Sequence, residues 1–251
     1  MNQFQRFLDE GKAMKKKTAY IAMTLAAFAG AATAGFDAEY TGLTGIAGAI
    51  HIDNGGFIDQ NFNAGHFGFD YTDMGGDRGA GQFAGGSFVT FCIELQNVRS
   101  GSYTYDVDSI ANGPNPEGGA GVPAYDAADE AEVHAVIAAA IAMGWLNADL
   151  TANTVTNAQL AGIQGMIWKM VLDNSTVEAA AGQTDVATAM ADIQSYMDNN
   201  TWGSVAGLRA MINEDTQDQL FIVPLPTAAF AGLLTLGGLA GVARMKNRAS
   251  R

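Results

Sequence analysis

Apolar and polar residues alternate most regularly between Phe88 and Gln96, and this alternation predicts a β-strand. One side of the extended chain carries Val89, Phe91, Ile93 and Leu95, and the other carries Thr90, Cys92, Glu94 and Gln96. The stretch Ser102 to Val107 is its predicted hairpin partner. More broadly, residues 35 to about 110 combine short apolar stretches with Gly, Asp and Asn, which is typical of strands and turns.

The pattern changes to helical spacing after a loop at Asn112 to Pro123, which holds three of the five prolines. The predicted helices are Ala127 to Leu146, Asn157 to Leu172 and Thr184 to Asn199. The middle helix carries an apolar stripe of Leu160, Ile163, Ile167 and Met170. After Trp202 the pattern predicts one more short helical stretch and then a final strand, Gln219 to Val223. Together these elements predict an α+β fold with a β-rich N-terminal part, sandwich or barrel-like, and about three helices.

The N-terminal residues have the pattern of a secretory signal. Three lysines, Lys15 to Lys17, precede the apolar run Thr18 to Ala31, and Ala32-Thr33-Ala34 supplies small residues at the spacing that signal peptidase accepts. We therefore expect residues 1–34 to be a signal peptide that is cut after Ala34. Met14 is an alternative start of the chain.

The C-terminal residues have the pattern of a membrane anchor. Val223-Pro224-Leu225-Pro226 precedes an uncharged run, residues 227–243, which would span roughly 25 Å as a helix. Four basic residues follow it: Arg244, Lys246, Arg248 and Arg251. The positive charges predict a cytoplasmic C-terminus for a transmembrane helix, so that residues 35–222 form an exported domain. A buried Gly/Ala-rich helix is the alternative interpretation.

The expected exported domain is strongly acidic. Of 13 Lys and Arg, five lie in residues 1–34 and four lie after Pro226, while only two of the 26 Asp and Glu lie in these end segments. The domain therefore has 4 basic and 24 acidic residues, a net charge of −20. This charge repels phosphate backbones and anionic lipid, which argues against nucleic-acid binding. Divalent cations could screen it, although acidic composition by itself predicts only solubility.

Cys92 is the only cysteine, so the chain cannot form an intramolecular disulfide. A structural cysteine usually lies among apolar residues, yet the predicted strand places Cys92 on the same side as Thr90 and Glu94. If Cys92 is buried, another element must cover this side of the strand. The second predicted helix is the best candidate.

Two segments resemble the motifs of bacterial surface thioester domains. Phe91-Cys92-Ile93-Glu94 is similar to their aromatic-Cys-apolar strand, and residues 163–168, Ile-Gln-Gly-Met-Ile-Trp, are similar to their Gln-x-x-Ile-Trp helix. The stretch Ile137 to Leu146 also resembles the helix between these motifs, and the likeness covers about residues 85–222. In that family the cysteine sulfur joins the glutamine side-chain carbonyl, with loss of ammonia, into an internal thioester that captures nucleophiles. The resemblance implies such a bond between Cys92 and Gln164.

The residues around the implied bond suit a water-excluding pocket, because a thioester survives only where water is kept away. Trp168 lies four residues after Gln164 on one helical face and can cover the carbonyl, while Phe91, Ile163 and Ile167 supply apolar walls. Glu94 could assist proton transfer or be a solvated carboxylate. Gly165 departs from this pattern, since a bulkier apolar residue would seal the bond better. The structural alternative is that Gln164 lies on a helix rim and Trp168 in the core.

Other candidate sites are weaker. His51, His66 and His134 lack metal-ligand spacing, and Glu130 with His134 predicts an exposed i, i+4 pair. The three acids Asp70, Asp73 and Asp77 lack the spacing of a calcium loop. Nucleotide-binding, serine-hydrolase and HExxH motifs are absent from the sequence. We therefore expect no metal and no cofactor.

The C-terminal tripartite segment has a resemblance of its own. Val223-Pro224-Leu225-Pro226, the apolar run and the basic end resemble the PEP-CTERM sorting signal, in the VPLP variant with leucine between the prolines. The resemblance implies cleavage by an exosortase-type membrane protease and delivery towards the surface, often alongside exopolysaccharide production. Two prolines would stiffen an extended, accessible segment there.

The sequence as a whole predicts an exported protein of the cell surface or extracellular matrix that acts in adhesion. Its expected partners are signal peptidase, an exosortase and an unknown surface ligand, amine- or hydroxyl-bearing if the thioester forms. The alternative is a non-covalent binding or structural module of the matrix with a free cysteine. A hydrolase is not expected, because no acid-base pair is evident in the sequence.

Overall fold

The computed structural model of the chain describes residues 33–56, 58–72, 86–95, 98–113, 125–173 and 175–223. Three predicted features lie outside these ranges. They are the signal peptide except for its last two residues, the part of the loop at Asn112 to Pro123 that follows Gly113, and the anchor after Val223. Among the described helices, none combines the length and the hydropathy needed to cross a membrane.

Seven described strands form one sheet. In chain order they are β1 (Thr33–Asp53), β2 (Asp59–Tyr71), β3 (Ser87–Thr90), β4 (Ser102–Asp108), β5 (Thr176–Ala179), β6 (Leu208–Ile212) and β7 (Gln219–Ile222). Their order across the sheet is β3-β2-β1-β4-β6-β7, and β5 pairs with the end of β1. The chain just after β3 bridges to β7 at Cys92 and Gln219, so the two edges of this order meet.

The described ranges hold three α-helices: α1 (Ala127–Ala142), α2 (Asn157–Val171) and α3 (Thr184–Asp198). Helices α2 and α3 contact strands of the sheet, and α1 packs against the two other helices. The central helix, α2, contacts β2, β5 and both other helices. Thr156 and Gln159 form a reciprocal capping box that fixes its first turn. These helices and the strand-rich N-terminal half confirm the predicted α+β class.

Helix α2 is buried on every side, not only along the predicted stripe. Ten of its 15 residues are buried, and Gln164 is one of them. Gly165 permits this close packing, because a Cβ atom built there would lie 2.5 Å from Cδ1 of Ile50 and 3.0 Å from Sδ of Met190. The bulkier residue that the sequence analysis would place at 165 therefore has no room, since Ile50 and Met190 already fill that space.

Three predicted elements are wrong or too long. The strand expected from Phe88 to Gln96 ends at Thr90, and the chain bends from Ile93 to Leu95. The expected hairpin partner, Ser102 to Val107, pairs with β6 instead, because its neighbour in space comes about a hundred residues later in the chain. The helix expected to reach Leu146 ends at Ala142, and Gly144 adopts a positive φ of 74° just beyond its end.

The short helix expected after Trp202 is also wrong. The residues Leu208–Ile212 form β6, which pairs with β4 on one side and β7 on the other. Leu, Arg, Ala and Met are good helix formers, so the pairing of two neighbouring strands has overridden local propensity. The final strand was predicted correctly to within one residue, as β7.

Candidate functional site

Cys92 lies where the chain leaves β3 and passes between β7 and helix α2. The backbone of its neighbours pairs with β7: Leu220 N–H donates to Phe91 O at 2.7 Å, and Ile93 N–H donates to Asp218 O at 3.1 Å. Four successive residues, Phe91 to Glu94, are buried, so the predicted alternation of inner and outer faces does not hold here. Both faces are covered, because helix α2 covers the side that carries Cys92, as the sequence analysis expected.

Gln164 is the residue of helix α2 that meets Cys92. The Cys92 N–H donates to Gln164 Oε1 at 2.9 Å, and Gln164 Nε2 donates to Cys92 O at 2.7 Å. Both residues have no exposed surface. The glutamine side chain thus pairs with the Cys92 backbone as a neighbouring strand would, and its carboxamide carbon lies against the residue that carries the sulfur.

The Cys92 thiol is held in its protonated form. Burial raises the pKa of the Cys92 thiol well above its usual value, and the charge of Glu94 adds to this effect. Opposing smaller effects come from the backbone of Cys92, the Trp168 indole and the backbone of Glu94. A buried, protonated thiol is a poor nucleophile by itself, so any reaction of this sulfur needs a nearby group that takes its proton.

Aromatic side chains wall the pocket. Trp168 is 1% exposed and packs edge-on against Phe62, with ring centroids 5.9 Å apart. Its indole nitrogen has no hydrogen-bond acceptor at bonding geometry within the described residues, yet the indole is near enough to lower the pKa of the Cys92 thiol. Phe91 and Ile167 are fully buried. The predicted pocket residues Phe91, Ile167 and Trp168 therefore all lie in the interior, beside the Cys92 to Gln164 contact or one turn from it.

His66, which the sequence analysis considered only as a metal ligand, lies against the wall of the pocket. Its ring packs on Phe91 with centroids 4.5 Å apart, and its Nε2 is buried without a partner among the described residues. Burial lowers the pKa of His66 to about 4, although the backbone of Leu150 partly opposes this. His66 is therefore neutral at physiological pH and behaves as part of the apolar wall. Leu150, which has a positive φ of 67°, is fully buried as well.

Glu94 is buried, so the expectation that it could be a solvated carboxylate is wrong. It is 1% exposed, and its Oε2 accepts a 3.0 Å hydrogen bond from the backbone N–H of Asp218. Gln217 Nε2 donates to the Glu94 carbonyl at 2.9 Å. The Tyr125 hydroxyl donates to the carbonyl of Ile93. A buried polar cluster therefore lies directly behind Cys92.

Several members of this cluster could not be found from the sequence. Asp218, Gln217 and Gln219 come more than 120 residues after Cys92, and no local pattern marks them. They end a run of seven polar residues, 213–219, that has the composition of an ordinary exposed turn. Gln219 Nε2 donates to Gln217 Oε1 at 2.9 Å, and Gln219 Oε1 is buried without a partner in the described part of the chain.

The pair Glu130 and His134 forms, but it is not exposed as predicted. His134 Nε2 lies 3.7 Å from Glu130 Oε1, and His134 Nδ1 accepts from the Val205 N–H at 2.9 Å. His134 is 6% exposed, and its burial lowers its pKa. The histidine therefore ties helix α1 to the chain before β6.

The remaining candidates give no second site. In the described ranges, no three side chains of His, Cys, Asp or Glu come together in a way that could hold a metal ion. Asp73 and Asp77, two of the three acids that the sequence analysis weighed as a calcium loop, lie outside these ranges. An open groove of about 500 Å³ runs between the end of α2, β5 and α3. Met190 lines the groove and also packs beside Gly165.

The sorting motif falls at the end of the described chain. Val223 follows β7 and donates from its N–H to the carbonyl of Gly207 at 2.8 Å. Pro224, Leu225, Pro226 and the basic residues of the tail lie outside the described residues. The described residues therefore include the Cys92 to Gln164 contact but not the predicted anchor.

Comparison with known proteins found no matching family model, no similar curated protein and no similar solved structure.

Proposed function

We propose that Cys92 and Gln164 form an internal thioester, and that the protein is an exported surface or matrix protein that captures a partner through this bond. The observation that carries the proposal is the pair of hydrogen bonds between the Gln164 carboxamide and the Cys92 backbone, at 2.9 and 2.7 Å, in a pocket without solvent exposure. These contacts bring the two reacting residues together and keep water away from the product.

The chemistry follows from this arrangement. The Cys92 sulfur, after losing its proton, attacks the carboxamide carbon of Gln164. The carbon–nitrogen bond breaks, the nitrogen takes up a proton and leaves as ammonia, and a sulfur–carbon bond remains. The Cys92 N–H already donates to Oε1 of Gln164, so it is placed to stabilise the negative charge that develops on this oxygen.

Capture is the second half of the reaction. An amine or hydroxyl of the partner attacks the thioester carbonyl and gives up one proton, and the carbon–sulfur bond breaks. The Cys92 sulfur regains a proton, and the partner is left joined to residue 164 by an amide or ester bond. The protein is consumed in this reaction, so it acts as a covalent binding protein and not as an enzyme that turns over.

Export and surface sorting are part of the same proposal. They are supported by the signal-like residues 1–34, the VPLP segment, the uncharged run 227–243 and the basic tail. The net charge of −20 on residues 35–222 suits a soluble exported domain. Signal peptidase and an exosortase-type protease are the proposed processing partners. We also propose that the sheet forms a sandwich or barrel of the kind found in thioester domains.

A non-covalent structural or matrix-binding module is the second candidate. The same two hydrogen bonds favour it, because Gln164 satisfies a buried N–H and a buried carbonyl of Cys92 that have no other described partner. Leaving such groups unpaired costs about 1–3 kcal/mol each. In this case Cys92 keeps a free thiol and its surroundings serve only stability.

Methylamine labelling separates the two candidates. The purified exported protein is incubated with methylamine, the Cys92 thiol is then alkylated, and the peptides are mapped by mass spectrometry. The thioester predicts methylamine on residue 164 together with a newly alkylatable Cys92. The covalent function would be rejected if Cys92 is alkylated in protein that was never exposed to methylamine and if methylamine leaves no label on residue 164.

Matched variants locate the reaction. Cys92→Ala and Gln164→Glu should abolish labelling, since the first lacks the sulfur and the second has no ammonia to lose. Gln60→Glu, an exposed position on β2, is the control and should label like the native protein. Surface adhesion is then compared between the native protein and Cys92→Ala, and equal retention would favour the non-covalent module.

A further inference from the structure

Two carboxyl groups lie buried together behind Cys92. Glu94 is 1% exposed, and Asp218 has no exposed surface. The Asp218 N–H donates to Glu94 Oε2 at 3.0 Å, and the Ile93 N–H donates to Asp218 O at 3.1 Å. These bonds hold the residue before β7 directly against the chain that carries Cys92.

The Asp218 carboxyl is only half satisfied. Its Oδ1 accepts a 2.7 Å hydrogen bond from the Asn213 N–H, whereas its Oδ2 is buried and has no partner at hydrogen-bond geometry among the described residues. The Glu94 carboxyl is nevertheless near enough to raise the pKa of Asp218 through a side-chain hydrogen bond. An unpartnered buried carboxylate oxygen is costly, but a protonated one can donate a hydrogen bond. This arrangement favours a proton on the Glu94 and Asp218 pair.

The electrostatics agree with the geometry. Burial raises the pKa of Asp218 to about 8, and the charge of Glu94 adds to this effect. The other titratable groups that face the pair are Cys92, Tyr125 and Tyr105, and burial raises the pKa of each, so none is charged at neutral pH. The raised pKa of Asp218 therefore keeps a proton on the carboxyl pair at neutral pH.

No described cation compensates this region. The Lys and Arg side chains of the described ranges are those of Arg99, Lys169 and Arg209. The first two are exposed, and Arg209 acts on His134. A second negative charge in this interior would be unopposed and expensive. The Cys92 thiol can therefore ionise only if a nearby group takes its proton at the same time.

We propose that Glu94 and Asp218 form an acid–base pair that takes the proton of the Cys92 thiol and returns a proton to the nitrogen that leaves Gln164. The inference rests on the proposed thioester and names the groups that make it possible. Glu94 is two residues from Cys92, and its charge acts on the Cys92 thiol, so the pair is placed to exchange protons with the site.

The proton balance closes at each step. The thiol proton moves to the carboxyl pair as the sulfur attacks, so the charge of the cluster stays the same. The pair then gives a proton to the Gln164 nitrogen as the carbon–nitrogen bond breaks, and ammonia leaves. In capture, the pair takes the proton of the incoming amine and returns it to the departing sulfur. The pair ends each half-reaction as it began.

The first test measures the shared proton without relying on the thioester. Carbon-13 NMR of the Asp and Glu carboxyl groups is recorded against pH in the full-length Cys92→Ala protein. One carboxyl of the pair should stay protonated at pH 7 and titrate near pH 8, and this titration should vanish in Cys92→Ala with Asp218→Asn. Full ionisation of both groups by pH 6 would overturn the proposal.

The second test measures the reaction. Asp218→Asn and Glu94→Gln keep the shape and hydrogen-bonding atoms of the pair but cannot exchange the same proton. Methylamine labelling of residue 164 should slow about 10²-fold in each variant and lose its dependence on pH between 6 and 9. The control Asp215→Asn, an exposed residue in the same turn, should label at the native rate.

The outcomes distinguish the two proposals. Native labelling with unchanged rate and pH profile in both variants would overturn the acid–base pair and leave the thioester intact. A native protein that never labels would reject the thioester, and the acid–base role with it. Thermal melting of each variant accompanies the rates, so that a loss of fold is not taken for a loss of proton transfer. If one variant fails to fold, the other and the carboxyl titration still decide.

Discussion

Helices α2 and α3 are of equal length and lie side by side, yet they carry different parts of the molecule. Helix α3 buries only Val186, Ala189, Met190 and Ile193 and exposes acidic residues on its other side. Helix α2 buries ten residues around its whole circumference, including the polar Gln164. A polar side chain is placed in such an interior only with a partner, and that partner is the Cys92 backbone. The candidate chemistry therefore lies on α2, where a buried polar side chain is paired with the residue that carries the thiol.

The largest expected difference between the two helices concerns their glutamines. Gln164→Ala leaves the N–H and carbonyl of Cys92 unpaired in the interior and opens a cavity. It should lower the free energy of unfolding by about 2–5 kcal/mol. Gln194→Ala on α3 removes one hydrogen bond to Asp198 at the surface and should cost about 0.5 kcal/mol. Urea unfolding measures both, and equal losses would show that the Gln164 contact contributes little.

The position compared on α2 should require glycine, whereas the one compared on α3 should prefer alanine, so exchanging either residue for the other should destabilise the protein. Gly165→Ala puts a methyl group where Ile50 and Met190 already pack, so it should destabilise the protein by about 1–3 kcal/mol despite the better helix propensity of alanine. Ala191→Gly on the exposed side of α3 should destabilise by about 1 kcal/mol through propensity alone. Thermal melting checks both. A more stable Gly165→Ala protein would contradict the close packing of α2.

The pH dependence of stability should distinguish the cluster behind Cys92 from the surface of α3. The pKa of Asp218 is higher in the folded state than its ordinary value of 3.8, so its contribution to stability is fully present below pH 4 and is lost as the pH rises through about 8. Asp218→Asn should therefore flatten the fall in melting temperature between pH 5 and pH 9.

The control for this prediction lies on α3. Asp185→Asn changes an exposed carboxylate in the first turn and should leave the shape of the pH curve unchanged. If the melting temperature of Asp218→Asn also falls with pH as it does in the native protein, the Asp218 carboxyl does not keep its proton up to about pH 8.

The sequence was sufficient for the features that depend on local pattern. The three helices begin at Ala127, Asn157 and Thr184 as predicted, because a period near 3.6 is a local signal. Capping boxes at Asp126 and Thr156 strengthen this signal for the first two helices. The meeting of the Cys92 segment with α2 also followed from local reasoning, since the wrong-sided cysteine required a covering element. These are the parts of the fold that a single chain segment can encode.

The remaining features depend on contacts between distant residues. The pairing of β4 with β6 joins residues about a hundred positions apart, and β6 itself was predicted as helix. The burial of Glu94 could not be predicted, because the residues that cover it, Gln217 and Asp218, come from the other end of the domain. The candidate nucleophile and its amide were therefore visible in the sequence, whereas the carboxyl pair was not.

The intact mass of the native exported protein, measured under denaturing conditions without added amine, tests the central claim most directly. After allowance for any removed end segments, the thioester predicts a mass lower by about 17 Da, the mass of lost ammonia, in the native protein and in Gln60→Glu. Cys92→Ala and Gln164→Glu should show their full calculated masses. A native protein at its full calculated mass, with Cys92 freely alkylated, would contradict the account.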